Sequence, residues 1–231
     1  MTPSSLTVVI PALNEAQVIG SVVRKVDAAL RHEGVAEYTI LVVDDGSTDS
    51  TQEEVLACRM EAIPVKVIRH ARNRGYGLSL RSGFVRATAP LIWLLDGDGQ
   101  FDPADVHLLF SQYREGLMVC GYRAKRADPW QRRFASFAFF TCVRLVFGPL
   151  GVRDVDCAFK LIPRDAVLSL TTTGAMISTE MILTARKHHH HIVEIAVPHY
   201  PRRTGSPTGM RLHVVLRAFR ELFTLRSRPP K

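Results

Sequence analysis

Residues 91–100 read LIWLLDGDGQ, an uncharged apolar run that leads directly into two carboxylates separated by one glycine. Five consecutive apolar residues are typical of a strand at the centre of a parallel sheet, because such a strand is buried on both faces. Ligands on parallel sheets bind beyond the carboxyl ends of the strands. The stretch therefore predicts a central strand at residues 91–95 and a functional site at Asp96 and Asp98.

The first 120 residues repeat this alternation of short apolar strands with helical patterns. Strands are predicted at residues 6–11, 38–43, 65–70, 91–95 and 117–121, and a further one at 192–197. Apolar residues at four-residue spacing predict a helix over residues 18–30, with Asn14 and Gln17 as a capping box at its start. The predicted fold class is α/β, a mostly parallel Rossmann-like sheet flanked by helices.

Asp96 and Asp98 are candidate ligands for one hard divalent cation, because both carboxylates can turn toward the same point at the strand end. Oxygen ligands suit Mg²⁺ or Mn²⁺. Gln100 can add a neutral oxygen. A cation held by so few protein groups completes its shell with water and substrate phosphates, which implies a nucleotide substrate.

Asp44 and Asp45 follow the second predicted strand, where carboxylates can accept hydrogen bonds from a ribose or a base. An Asx turn that caps the next helix explains residues 48–49 equally well. The sequence has no Gly-x-Gly-x-x-Gly after the first strand and no P-loop motif. A dinucleotide oxidoreductase and a P-loop NTPase are therefore disfavoured.

Three segments in this order resemble one family: residues 9–15 (VIPALNE), 42–49 (VVDDGSTD) and 95–103 (LDGDGQFDP). The chain is similar to the inverting glycosyltransferases of family 2, which have a GT-A fold, and most similar to dolichol- and polyprenyl-phosphate sugar transferases. The similarity continues through residues 153–160, 178–180 and 192–203. It implies a nucleotide-sugar pocket lined by Pro11, Asn14, Glu15, Asp44 and Asp45, with Asp96, Asp98 and Gln100 at the metal and diphosphate.

Basic residues are concentrated in the second half of the chain. Residues 1–110 hold 10 Lys and Arg against 14 Asp and Glu, whereas residues 111–231 hold 20 against 8. The family resemblance implies phosphate contacts in this half from Arg123, Lys160, Arg202 and Arg203. Guanidinium groups suit that role because they bind phosphate oxygens in bidentate fashion. The alternative for each residue is a place on the solvated surface.

Two acceptors are compatible with the resemblance. A polyprenyl phosphate needs no strong general base, because a phosphate monoester is largely ionised near neutral pH. A soluble hydroxyl acceptor needs a base, for which Glu180 is the candidate; capping a helix start after Ser178 and Thr179 is its alternative role. A basic module that binds nucleic acid is disfavoured, because the chain lacks interleaved aromatic and basic residues.

The predicted organisation is a catalytic domain at residues 1–209 and a basic amphipathic helix at 210–231. Segments 134–152 and 210–225 combine apolar with basic residues, so they suit either an anionic membrane surface or packing on the core or in a dimer. No run of about 18 uncharged apolar residues is present, so no transmembrane segment is predicted. Without a signal-peptide pattern, the expected location is the cytoplasm, at the membrane face.

The cysteines and histidines give no metal motif. Cys58, Cys120, Cys142 and Cys157 form no C-x-x-C pair, which disfavours a zinc ribbon and a secreted disulfide scaffold. Four histidines at residues 188–191 are expected in a solvated loop, with an adventitious metal patch as the alternative.

Overall fold

A single mixed sheet organises the chain. The computed structural model describes residues 1–124, 130–202 and 212–227, and side chains within 1–124, 137–202 and 218–227. The strands of these ranges are β1 (Ser5–Ala12), β2 (Glu37–Asp44), β3 (Val65–Arg69), β4 (Leu91–Leu95), β5 (Leu117–Arg123), β6 (Phe159–Pro163) and β7 (His191–Val197). Their order across the sheet is β3-β2-β1-β4-β6-β5-β7. The mostly parallel sheet confirms the predicted α/β class.

Helices flank this sheet and supply the rest of the core. They are α1 (Ile19–His32), α2 (Thr51–Met60), α3 (Tyr76–Arg86), α4 (Val106–Gln112), α5 (Trp130–Phe147), α6 (Asp165–Leu168), α7 (Ile177–Lys187) and α8 (Leu212–Ser227), with a 3₁₀ turn at Pro103–Asp105. Every residue of β4 is buried, as its apolar sequence predicts. Helix α3 packs closely on β1 and β2. Gly83 lies at this contact, where a side chain would collide with Val9 and approach Val43.

The strand prediction is confirmed at the five strands of the first 120 residues and at β7, to within two residues at each end. The structure adds β6, which runs antiparallel to both β4 and β5. Its sequence, FKLIP, carries a lysine among apolar residues and shows no alternation. Its two neighbours in the sheet, rather than its own pattern, decide that it forms a buried strand.

The predicted capping box of α1 is wrong. The helix begins at Ile19, and Val18 precedes it with no side-chain cap. Asn14 has a left-handed backbone, with φ of 56°. Its Oδ1 accepts a hydrogen bond from the N–H of Thr48 at 2.9 Å. Asn14 therefore joins two loops of the sheet edge instead of starting the helix.

Helix α8 packs on the body of the protein. Ala218, Leu222 and Leu225 are buried, and the ring of Phe219 meets that of Phe139 on α5 edge to face at 5.4 Å. None of the helices in the described ranges has the length and hydropathy needed to span a membrane.

Candidate active site

The carboxyl ends of β1, β2 and β4 meet at one edge of the sheet. Ala12 at the end of β1 is in register with Asp44 at the end of β2. The N–H of Asp45 donates to the carbonyl of Ala12 at 2.9 Å, and the N–H of Gly97 donates to the carbonyl of Pro11 at 3.2 Å. The three polar segments that the sequence analysis selected therefore adjoin one another.

Asp96 and Asp98 lie at the centre of this edge. Oδ1 of Asp96 is buried and accepts no hydrogen bond from the described residues. Burial and the nearby charge of Asp98 raise the pKa of Asp96 to about 7, against the opposing influence of the Tyr76 hydroxyl beside it. The turn between these two aspartates passes close to β1: a Cβ on Gly97 would lie 3.0 Å from the carbonyl oxygen of Pro11, so glycine suits this position.

Arg202 reaches this acidic motif from the far end of the chain. Its Nη2 donates to Oδ2 of Asp98 at 2.5 Å, and its Nη1 lies 3.6 Å from Oε1 of Glu15. Gln100 fixes the approach, since its Nε2 donates to the carbonyl of Tyr200 at 3.1 Å and its own carbonyl accepts the Tyr200 N–H at 2.9 Å. Arg202 thus lies beside the candidate metal ligands, as expected for a diphosphate contact.

The loops after β1 and β2 are fastened to each other. The N–H of Asn14 donates to Oγ of Ser47, and that of Glu15 donates to Oγ1 of Thr51, both at 2.9 Å. Asp49 accepts the N–H of Thr51 at 3.1 Å, which agrees with the Asx-turn alternative. These contacts hold Glu15 in the pocket wall next to Arg202.

Asp44 and Asp45 have different surroundings. Oδ1 of Asp44 accepts the N–H of Ser47 at 2.8 Å, while its buried Oδ2 accepts no hydrogen bond from the described residues and lies 3.5 Å from Nε of Arg69. Asp44 is therefore buried at the sheet edge beside Arg69, and its expected contact with the nucleotide stays a prediction.

Asp45 is occupied by the loop after β3. Its Oδ1 accepts the N–H of Arg74 at 2.9 Å and lies 2.6 Å from Nδ1 of His70, and its Oδ2 accepts the N–H of Gly75 at 2.7 Å. The carboxylate thus orders this loop, and its expected direct contact with the nucleotide stays a prediction.

The three cations expected at phosphates besides Arg202 differ in position. Arg123 is held by Asp154 through two hydrogen bonds, of 2.7 and 2.8 Å. Lys160 is 1% exposed, and its Nζ donates to the carbonyls of Val155 and Cys157. The amine is therefore hydrogen-bonded to the backbone beneath the sheet edge and does not face the pocket. Arg203 lies outside the described residues.

Glu180 is placed as a structural anchor and not as a general base. It is fully buried, and its two oxygens accept hydrogen bonds from the N–H and Oγ1 of both Thr171 and Thr172, at 2.5–2.8 Å. These contacts fasten the segment before α7 to the first turn of that helix. The expectation that Glu180 serves as base conflicts with this geometry, because a carboxylate with four internal donors has no access to an acceptor.

Comparisons with known proteins show the family and the fold of this chain. The family description "Glycosyl transferase family 2" matches residues 7–170. The chain belongs to glycosyltransferase family 2. As the family predicts, the enzyme has a GT-A fold, and Asp44, Asp96 and Asp98 of this glycosyltransferase all lie inside the matched range. Glu180 and Arg202 lie beyond it.

Solved structures show the same fold at low sequence identity. Glucosyl-3-phosphoglycerate synthase from Mycobacterium tuberculosis with UDP has a TM-score of 0.73 and 18% identity, and the match covers 98% of this chain and 82% of that chain. The same synthase with Mn²⁺, UDP-glucose and phosphoglyceric acid gives 0.73 and 19%, covering 98% and 81%. Mannosyl-3-phosphoglycerate synthase from Rubrobacter xylanophilus gives 0.73 and 16%, covering 98% and 76%.

Two further residues lie at the site of this glycosyltransferase, His70 and Tyr76, and the sequence did not single them out individually. His70 lies between Asp45 and Ser82, with Nε2 2.9 Å from Oγ of Ser82, and Tyr76 lies beside Asp96. Both follow β3, a parallel strand whose carboxyl end meets the same sheet edge. The rule that selected the other loops applies to this one too.

The described parts of the glycosyltransferase hold no group of three or more His, Cys, Asp or Glu side chains arranged to bind a metal ion, so the run at residues 188–191 forms no such group there. Nε2 of His190 lies 2.9 Å from the Asp165 carboxylate, and Nδ1 of His188 lies 3.4 Å from it. The histidine run is thus partly anchored, at the start of β7.

Proposed function

We propose that this glycosyltransferase moves a sugar from a nucleoside diphosphate donor, bound with Mg²⁺ or Mn²⁺ at Asp96 and Asp98, to a phosphate-bearing acceptor. One observation carries the proposal: Oδ1 of Asp96 is buried, accepts no hydrogen bond from the described residues, and belongs to a carboxylate that feels the charge of Asp98. Two carboxylates so placed repel each other, and a divalent cation relieves that repulsion. The similar synthase binds Mn²⁺ and UDP-glucose in its own structure.

Different residues of the site are proposed to bind different parts of the donor. The Asp44 oxygen that accepts no hydrogen bond suits a hydroxyl or base of the nucleoside, and Gln100 and Arg202 suit the diphosphate. When bound, the metal ion supplies positive charge to the departing diphosphate. Arg202 adds a second charge there, since it is already oriented by Asp98 and Glu15.

The reaction is a displacement at the anomeric carbon with inversion. An acceptor oxygen forms the new bond to that carbon while the bond to the diphosphate breaks, and the electron pair leaves with the nucleoside diphosphate. Binding both substrates in one pocket supplies proximity and alignment. A phosphate oxygen as nucleophile requires no proton transfer, because its second pKa is about 6.

Polyprenyl phosphate is the first candidate acceptor, and the surface of α5 and α8 favours it. Phe137 and Leu145 on α5 are 69% and 82% exposed, and Phe223 on α8 is 65% exposed. Arg220 and Arg226 are exposed on α8. Exposed apolar residues beside cations suit an anionic membrane surface, so residues 210–231 are proposed to bring the domain at 1–209 to a lipid acceptor.

A soluble phosphorylated hydroxyl compound is the second candidate acceptor. The solved structures favour it over the lipid, because the synthases from both organisms are named for phosphoglycerate products. A hydroxyl nucleophile needs a base. Since Glu180 is engaged elsewhere, the exposed Asp156 carboxylate, whose charge acts on nearby Tyr76, replaces it as the candidate.

One transfer assay tests the reaction and separates the acceptors. Radiolabelled GDP- and UDP-sugars are supplied with Mn²⁺ or Mg²⁺ to wild-type protein, Asp98→Asn and the control Asp102→Asn, whose carboxylate pairs with Lys25 on the surface. Polyprenyl phosphate and 3-phosphoglycerate are offered separately, and products are divided by organic extraction.

Metal-dependent label in the organic phase, lost in Asp98→Asn and kept in Asp102→Asn, is the expected result. Label in the aqueous phosphoglycerate product would establish the second acceptor. Transfer that survives in Asp98→Asn, or transfer to neither acceptor with any donor, would overturn the proposal.

A further inference from the structure

Helix α8 touches the segment that precedes α7 through one carboxylate. Oε2 of Glu221 accepts the N–H of Met176 at 3.4 Å. A Cβ on Gly174 would lie 2.6 Å from each oxygen of that carboxylate, so Glu221 lies directly on the Gly174 backbone. Buried Leu222 and Leu225 hold this part of α8 in the core. The only acidic residue of α8 thus faces inward, onto residues 171–176, here called the anchor segment.

The anchor segment in turn lies against the first turn of α3. A Cβ on Gly77 would lie 2.6 Å from the backbone nitrogen of Gly174, so the two backbones are in contact. Nη1 of Arg81, one turn further along α3, donates to the carbonyl of Thr171 at 3.3 Å. Glu180 fixes the other side of the segment by accepting the N–H groups of Thr171 and Thr172, so the segment is held between α3 and α7.

The first turn of α3 reaches the metal motif. Tyr76 precedes Gly77 and is close enough to Asp96 to lower the pKa of that carboxyl group. The preceding residue, Gly75, is held by Asp45 at 2.7 Å. The start of α3 is therefore held between Asp45 and the anchor segment, and Tyr76 lies there close enough to Asp96 for the two side chains to affect each other's pKa.

We propose that Glu221 is a positioning residue for the donor site: it holds the anchor segment against Gly77 and so keeps Tyr76 on Asp96. The proposal rests on the proposed function, in which Asp96 binds the metal. It makes α8 part of the machinery that sets metal and nucleotide affinity, in addition to any surface that it offers. Partners of metal ligands commonly change metal affinity by about 10- to 100-fold when removed.

The test compares Glu221→Ala, Tyr76→Phe and the double variant with wild-type protein, and uses Glu53→Ala as a control on an exposed helix position. The first readout is hydrogen exchange of the metal-free protein at residues 75–80, 94–100 and 171–176. Glu221→Ala is expected to speed exchange in all three segments, and the control in none.

The second readout is Mn²⁺-dependent affinity for UDP and GDP. Glu221→Ala and Tyr76→Phe are each expected to weaken it about tenfold. The double variant should be little weaker than Tyr76→Phe alone, because both changes act on the same contact. Glu221→Gln is expected to restore most of the affinity, since its amide oxygen can still accept the Met176 N–H.

Faster exchange confined to residues 171–176, or losses of affinity that add in the double variant, would overturn the proposal. Wild-type protein that binds no nucleotide with Mn²⁺ would refute the proposed function instead. The exchange of the metal-free protein would still decide whether Glu221 controls the segments around Tyr76 and Asp96.

Discussion

Replacing Glu180 by Gln distinguishes a structural anchor from a general base. The wild-type carboxylate is fully buried and accepts four hydrogen bonds from Thr171 and Thr172. A glutamine amide keeps one oxygen that can accept hydrogen bonds. Its NH₂ group replaces the other oxygen, so the threonine backbone N–H that donated to that oxygen has no acceptor. A buried donor without a partner costs about 1–3 kcal/mol, and hydrogen bonds to a charged acceptor exceed neutral ones by about 1 kcal/mol each.

One donor without a partner and two hydrogen bonds to a neutral acceptor together predict that Glu180→Gln lowers the free energy of unfolding by about 3–5 kcal/mol. For a chain of this size, the melting temperature should fall by about 10 °C. Urea unfolding gives the free energy, and sugar transfer is measured at a temperature where both proteins are folded. With saturating donor and metal, kcat should fall less than tenfold, whereas loss of a general base costs about 10²–10⁴.

The opposite pattern would refute this reasoning. If Glu180→Gln unfolds within about 0.5 kcal/mol of wild type while kcat falls at least a hundredfold, Glu180 acts on the substrates. The four threonine contacts would then describe a resting arrangement that the enzyme leaves during turnover.

Two other residues give separate predictions. Lys160→Met should destabilise the fold by about 1–2 kcal/mol, because two carbonyls lose their donor. Calorimetry should show unchanged nucleotide affinity, and a tenfold loss would place the amine in the pocket. Burial by itself raises the pKa of Asp154. The hydrogen bonds and charge of Arg123 outweigh burial and hold the pKa below its usual value. Its stabilisation is therefore full above about pH 4 and is lost as the pH falls through the folded-state pKa. Asp154→Asn should cost about 3 kcal/mol at neutral pH, and this difference should shrink in urea unfolding near pH 3; a constant difference would contradict the ion pair.

The parallel half of the fold is predictable because each strand there carries its own signal. Residues 91–95 are apolar throughout, and the polar turn that follows them can only lie at the sheet edge. Strand β6 carries no such signal: Lys160 interrupts it, and its antiparallel direction depends on β4 and β5. The lysine is tolerated there because the backbone turn at residues 155–157 brings two carbonyls to its amine.

The sequence predicts which types of residue form the site, but it does not predict which residue has which role. Lys160 and Arg202 are alike as cations in the sequence, yet one is buried beneath the sheet edge and the other binds Asp98 across 104 residues. Glu180 likewise follows a Ser-Thr pair that suits either a cap or a base. Only the position of Thr171 and Thr172 in space shows that its oxygens are occupied.

The central claim is that Asp96 and Asp98 bind a divalent cation together with the donor diphosphate. Calorimetric titration of UDP and GDP, with and without Mn²⁺, tests it most directly in wild-type protein and Asp98→Asn. The account predicts that Mn²⁺ raises the affinity of wild type for at least one nucleotide by tenfold or more, about 1.4 kcal/mol, and gives Asp98→Asn no such gain. Equal affinities with and without Mn²⁺ in wild type, or the same gain in both proteins, would contradict it.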